Sequence, residues 1–199
     1  MTDRIHRAHI ATRAVRAGVD SDSQHGAVMP PLYLSSNFSF ERLGTPRTYD
    51  YSRSGNPTRD QLGSALAELE GGTGAVVTNT GMSAVVLVTH LLEADDLVIA
   101  PHNCYGGCYR AFDALARQGR FRAQFSNFQD LDALRRECRL HRPRLLWVET
   151  PSNPLLRITD IRRVVQIARE CGALLVVDNT FMTPLGQRPL ELGADIVVH

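Results

Sequence analysis

Apolar positions fall into two regimes along the chain. From residue 75 onward, short apolar runs alternate with segments whose apolar residues recur every three or four positions. The runs at 75–79, 97–100, 121–125, 145–149, 174–177 and 196–198 predict strands, and the intervening segments at 82–92, 109–118, 131–140 and 161–171 predict helices. Runs such as Leu174-Leu175-Val176-Val177 are apolar at every position, which suits strands covered on both faces. Alternating βα units of this kind build a mostly parallel α/β sheet.

Residues 1–56 follow the other regime. Gly18, Gly26, Pro30, Pro31, Gly44, Pro46 and Gly55 interrupt any sustained period, so the segment reads as an arm, and arms of that length usually cover a neighbour. Ile5, Ala8, Thr12 and Val15 sit at helical spacing and predict a short amphipathic helix at its start. Asn56-Pro57 predicts the next helix start, Leu62, Ala65, Leu66 and Leu69 its apolar stripe, and Gly71-Gly72 its end.

Composition narrows the class. The 199 residues are 43% hydrophobic and 22% charged, with a formal net charge of +1, so no basic excess points to nucleic acid as a partner. All 22 basic residues are arginine. Absence of lysine excludes a P-loop, which needs Gly-Lys-Ser/Thr, and any Schiff-base lysine on this chain. Cys104, Cys108, Cys138 and Cys171 form no CxxC pair, and His102 beside the first two leaves a metal set without its fourth ligand, so they read as packed free thiols. No apolar stretch is long enough to span a bilayer. The N-terminal arginines Arg4, Arg7, Arg13 and Arg16 come without the apolar core of a secretory signal, which makes the cytoplasm the expected compartment.

In open α/β sheets ligands collect at the carboxyl ends of the strands. After the first predicted strand, Thr80-Gly81-Met82-Ser83 opens a helix whose N–H groups suit an anion. The glycines at 71, 72 and 74 precede that strand, so this is no dinucleotide fingerprint. After the second, Tyr105 stands in a loop with Gly106 and Gly107 and suits stacking on a planar ligand. After the fourth, Glu149 leads into Pro151-Ser152-Asn153-Pro154, where two prolines bracket an asparagine. Asp178-Asn179-Thr180 follows the fifth, and its carboxylate calls for a cationic partner if buried. The arm supplies Asp50-Tyr51-Ser52-Arg53, whose arginine suits a phosphate.

Tyr51-Ser52-Arg53 with Gly55-Asn56-Pro57-Thr58, Thr80-Gly81-Met82, Tyr105-Gly106-Gly107, Ser152-Asn153-Pro154 and Asp178-Asn179-Thr180 occur in the order of one known family. Together they resemble the Cys/Met-metabolism family of pyridoxal-phosphate (PLP) enzymes. The resemblance implies the aspartate aminotransferase-like fold (fold type I), a homo-oligomer of at least two subunits with a tetramer the family habit, and PLP as cofactor. Gly81 and Met82 would meet the cofactor phosphate, Tyr51 and Arg53 the phosphate of a neighbouring subunit, and Tyr51 would also count with Tyr105 among the catalytic residues. Tyr105 would stack on the ring and assist deprotonation of the incoming amine. Asp178 would pair with the ring nitrogen, and Asn153 would contact the 3-oxygen side or the substrate carboxylate. Asp50 and Arg110 would recognise amino-acid substrates and align the chain with the cystathionine-forming branch. That branch expels the γ-substituent of an acylated homoserine, succinyl in the nearest likeness, and adds cysteine sulfur. Lyases and sulfhydrylases of the same family share these motifs. A reading of another class is a lysine-free remnant that binds a partner or cofactor noncovalently.

One departure is large. In the family, a strand like 196–198 runs on into Ser-x-Thr-Lys, whose lysine holds the cofactor covalently; here that place falls just beyond His199. The family's carboxyl-terminal domain, with its substrate-binding arginine, would follow. The expectation is therefore an arm at 1–56, a cofactor-binding domain at 57–199 that is incomplete, and a 75–79 strand left without its ladder partner.

Overall fold

The structure is a computed structural model that describes residues 8–199. Arg4, Ile5 and Arg7 of the predicted N-terminal helix lie outside the described residues. The chain forms two compact units, one ending at Val77 and the other beginning at Thr78.

In the first unit, α1 (Ile10–Val15) and α2 (Pro57–Glu70) bracket a long irregular stretch. Helix α1 buries no residue fully, and Val15 of the predicted stripe is exposed. Its anchor is polar instead, because Arg13 donates to the Glu68 carbonyl at 2.8 Å. Helix α2 starts and stops where the sequence predicts. Asn56 caps it by accepting the Thr58 N–H at 2.9 Å, and Gly71 ends it in the left-handed region at φ 77°. Its buried face is rotated from the predicted stripe: Gly63, Ala67, Leu69 and Glu70 turn inward while Leu62 is exposed. Small Gly63 and Ala67 let this face approach the segment at 75–77, where a Cβ on Gly63 would stand 3.4 Å from the Ala75 carbonyl oxygen.

The second unit holds a five-stranded parallel sheet in the order β2-β1-β3-β4-β5. The strands are β1 (Leu97–Pro101), β2 (Arg122–Ser126), β3 (Leu145–Glu149), β4 (Leu174–Asp178) and β5 (Ile196–Val198). Around them run α3 (Gly81–Thr89), α4 (Gly106–Arg117), α5 (Leu131–His141) and α6 (Ile161–Cys171), with two single-turn helices, α7 (Thr183–Gly186) and α8 (Pro189–Leu192). The fully apolar strands sort into two cores. Ile99, Leu146, Val148, Leu175 and Val177 pack with Leu134, Val164 and Ile167 on one face. Val98, Ala100, Trp147 and Val176 pack with Val85, Cys108 and Phe112 on the other. Trp147 is fully buried, with Phe112 edge-on at 5.3 Å.

The predicted strand at 75–79 is not a strand. Among the described residues no other strand pairs with it, and Val76 stays 76% exposed. A short apolar run alone does not make a strand when the backbone groups find no ladder.

Strand order fixes where a site can form. From β1 the chain moves outward to β2, then returns past β1 to β3, β4 and β5, so order reverses between β1 and β3. The loops leaving β1 and β3 therefore diverge from adjacent strand ends and open a crevice there.

Candidate functional site

A cavity of about 440 Å³ lies at those carboxyl ends. Five of the sequence-predicted residues line it together: Gly81, Met82, Tyr105, Asn153 and Asp178. Each arrives by a simple local cause.

Thr80 caps α3, accepting the Ser83 N–H at 3.0 Å, while Asn79 accepts the Ser83 hydroxyl at 2.8 Å. The first-turn N–H groups of Gly81 and Met82 are left without helical partners at the positive end of the dipole. This end abuts β5, since a Cβ on Gly81 would stand 3.4 Å from the His199 carbonyl oxygen.

Tyr105 is the N-cap residue of α4, and its exposed side chain forms one wall. Its ring needs the glycine that follows. A Cβ on Gly107 would stand 2.5 Å from Tyr105 Cε1 and 2.8 Å from Met82 Sδ, so the ring occupies the space a side chain would take.

Asp178 ends β4, half-buried. Its Oδ1 accepts the Thr180 N–H at 3.1 Å and the Thr180 hydroxyl at 2.6 Å. The cationic partner expected from the sequence does not occur among the described residues. Instead Asp178 sits in register beside Glu149, the last residue of β3. Two carboxylates on neighbouring strands favour a positively charged group between them and the cavity.

Glu149 is the residue that sequence reasoning passed over as a lead-in to the proline loop. It is buried and lines the cavity. Burial pushes its carboxyl above the ordinary range; the N–H groups of Tyr105 and Asn153 pull it back, and the Asp178 charge pushes the same way as burial. The signal that could have found it was the one used for Asp178, a carboxylate at the carboxyl end of an apolar strand.

Asn153 is half-buried between two prolines, as expected, and Ser152 behind it is buried, accepting Asn103 Nδ2–H at 2.9 Å. Cys104 and Cys108 belong to the apolar core beneath the cavity. Burial first, and then the Glu149 charge, pushes the Cys104 thiol up to about 12; Cys108 is pushed up by burial and by Asp178.

Two groups of predicted residues lie elsewhere. Arg110 is on the exposed surface of α4 near Gly106 and is not part of the cavity wall. Asp50, Tyr51 and Arg53 form a cluster within the first unit. There Asp50 accepts the Tyr51 N–H at 2.6 Å, and the Arg53 guanidinium lies 5.1 Å from the Tyr51 ring centroid while donating to its hydroxyl at 3.1 Å.

An open parallel sheet flanked by helices carries a cavity at its strand ends, walled by a helix N-terminus, an aromatic ring and a strand-end carboxylate, the usual place for a ligand in an α/β scaffold. Residues 11–199 match the model of the Cys/Met metabolism PLP-dependent enzyme family. The chain belongs to that family. It is 56% identical over 190 residues to cystathionine gamma-synthase of Escherichia coli (strain K12), covering 95% of this chain and 49% of that protein. It is 41% identical to cystathionine beta-lyase of Coxiella burnetii, covering 97% of this chain and 50% of the relative. Among solved structures, cystathionine gamma synthase from Xanthomonas oryzae pv. oryzae in complex with cystathionine superposes with a TM-score of 0.92 at 53% identity, over 96% of this chain and 49% of that one. Cystathionine gamma-lyase from Lactobacillus plantarum complexed with L-serine gives 0.89 at 34% identity, over 96% and 49%. The chain spans about half the length of the relatives it matches.

Proposed function

We propose that this chain carries the phosphate, ring and ring-nitrogen contacts of a PLP site, and that it is the amino-terminal part of a γ-replacement enzyme of the cystathionine γ-synthase type. The carrying observation is Asp178. A half-buried strand-end carboxylate with no cation among the described residues faces the same cavity as the α3 N-terminus and the Tyr105 ring. A planar ligand with an anionic tail and a cationic ring nitrogen matches all three.

The residues present fit PLP. Gly81 and Met82 N–H groups would take its phosphate, Tyr105 would cover the ring, Asp178 would hold the ring nitrogen protonated, and Asn153 would meet the 3-oxygen side. PLP when bound supplies an electron sink for a carbanion next to the amino group. The chain's own contributions are to bind and orient, to keep a proton at the Asp178 contact, and to place the Tyr105 side chain where it can assist deprotonation of the incoming amine. Residues 1–56 act as an arm contacting a second copy, 57–199 as the cofactor-binding domain, and Tyr51 and Arg53 reach a neighbouring subunit's phosphate. Asp50, Arg110 and Asn153 recognise the O-acylhomoserine, in our reading succinyl, with cysteine as the second substrate. The cytoplasm is the compartment this chemistry suits.

Titration of the chain with PLP, followed by cofactor absorbance, tests the binding part. Saturable binding that weakens about tenfold or more in Asp178→Asn is expected from loss of a charge-assisted contact; equal binding by the variant sinks the assignment. In the complete enzyme, Arg110→Ala should weaken use of O-succinylhomoserine and leave the cofactor spectrum intact. Loss of bound PLP there would remove Arg110 from the substrate site. The lyase reading gains if the complete enzyme cleaves cystathionine faster than it forms it.

A further inference from the structure

Both oxygens of Glu149 are spent on backbone amides of the two loops that wall the cavity. Oε2 accepts the Tyr105 N–H at 2.5 Å and Oε1 accepts the Asn153 N–H at 2.7 Å. The carboxylate is buried, and the residue sits on the central strand β3, paired with β1 on one side and β4 on the other. Asp178, its neighbour in register, differs in kind: one of its oxygens takes both Thr180 bonds and the group is half-buried. The loops that Glu149 joins leave β1 and β3, where the strand order reverses, so they would otherwise diverge. Among the described residues one other side-chain bond joins them, Asn103 Nδ2–H to Ser152 Oγ at 2.9 Å, and it fixes neither the Tyr105 nor the Asn153 amide.

We infer that Glu149 is a positioning residue that sets the separation and tilt of the Tyr105 ring and the Asn153 side chain by clamping their amides from one rigid strand end. The inference rests on the PLP reading for its consequence, though not for its geometry. A carboxylate can accept two N–H bonds at once on two oxygens. A glutamine in its place offers one acceptor oxygen and turns an NH2 toward the other amide, which must then shift. A burial cost borne by a charged group at this point is explained by the two loops it orders, since charge-assisted bonds are the stronger kind.

The test is Glu149→Gln, with Glu149→Asp as a second variant that keeps the charge but is one methylene too short to span both amides. Amide hydrogen exchange of the chain without cofactor, at about pH 8, should show the Tyr105 and Asn153 N–H groups exchanging roughly tenfold faster or more in Glu149→Gln. The sheet amides of Leu146 and Val177 should keep their wild-type rates. With PLP at saturation, the induced circular dichroism per bound cofactor should fall, because the ring is no longer held at a fixed tilt. Unchanged exchange at both amides overturns the inference, and so does unchanged dichroism at saturation. Uniform acceleration across the sheet, or failure of both variants to fold, makes Glu149 a determinant of folding instead and overturns it too. If the wild-type chain binds no PLP, the cofactor reading fails by itself, and exchange, which needs no cofactor, still decides the clamp.

Discussion

At Gly107 a single missing Cβ decides whether the cavity has an aromatic wall. The Tyr105 ring and Met82 sulfur occupy the volume where a methyl would stand. Gly107→Ala should raise helix propensity in α4 by up to about 1 kcal/mol while displacing the ring. The expected result is a melting temperature no lower than wild type together with PLP affinity reduced about tenfold; unaltered affinity would mean the ring does not cover the ligand. The thiols give a second residue-scale expectation. Cys104 and Cys138 are held at about 12 against an ordinary 9.0, mainly by burial. Between those values the unfolded chain has lost thiol protons that the native state keeps. Stability present below 9.0 is therefore lost as pH rises toward 12. Thermal melts from about pH 8 to 10.5 should decline less steeply for Cys104→Ala/Cys138→Ala, whose packing loss does not vary with pH. Equal slopes would show that these thiols ionise freely in the folded chain. Glu149 obeys the same sign at the acid end. Its raised carboxyl contributes stability below 4.5 that disappears as pH climbs through the folded value.

Elements in the sheet unit stand on caps written into their first residues. Asp130 accepts the Ala133 N–H at 2.9 Å at the start of α5, and Asp160 accepts the Arg163 N–H at 3.2 Å at the start of α6. Asp130→Ala should cost about 1 kcal/mol in urea unfolding without altering the m-value, in line with lost N-caps elsewhere. A cost near zero would show that α5 is fixed by Leu134 and Cys138 packing alone. Five of the six predicted strands and every predicted helix of this unit were legible from apolar runs and periods, although edge strand β2 buries only Ser126 and leaves Arg122 exposed. For α5, α6 and β3 the bounds agree within a residue. Three features were not legible, for different physical reasons. The 75–79 run has strand composition, and the lack of a ladder partner is the expected outcome; what composition does not reveal is that without pairing the segment is no strand at all. The single turns α7 and α8 begin at or beside Pro184 and Pro189, in segments too short for a helical period to register. Helix α2 was placed correctly, yet its buried face was misjudged because Gly63 and Ala67 are buried for their smallness, which a stripe of leucines conceals. At the site, motif order brought five lining residues to one cavity, whereas the clamp at Glu149 depends on two loops meeting and leaves no mark in spacing.

At the scale of the whole chain, the absence of lysine and the bare apolar side chains of the first unit each carry a prediction. The contacts proposed for PLP come from a sequence with 22 basic residues and not one lysine. Borohydride treatment of the chain with PLP should therefore fix no cofactor to any side chain, and mass spectrometry after proteolysis should find label at the α-amine or nowhere. Label on an internal peptide would contradict the noncovalent reading. The irregular stretch of the first unit makes the complementary case for a second copy. Leu32, Leu34 and Leu43 are 77%, 93% and 103% exposed, a density of bare large side chains that a monomer rarely keeps without use. The nearby Tyr51–Arg53 cluster holds an arginine oriented by an aromatic hydroxyl instead of a carboxylate, leaving its charge available to an anion. If the arm covers another subunit, sedimentation velocity should show concentration-dependent association of the chain, and Leu34→Glu with Leu43→Glu should move it toward monomer. The sheet unit's circular dichroism should not change, since these residues belong to the other unit. Association undiminished by the double charge would place the contact elsewhere and leave the arm's apolar side chains without the partner proposed for them.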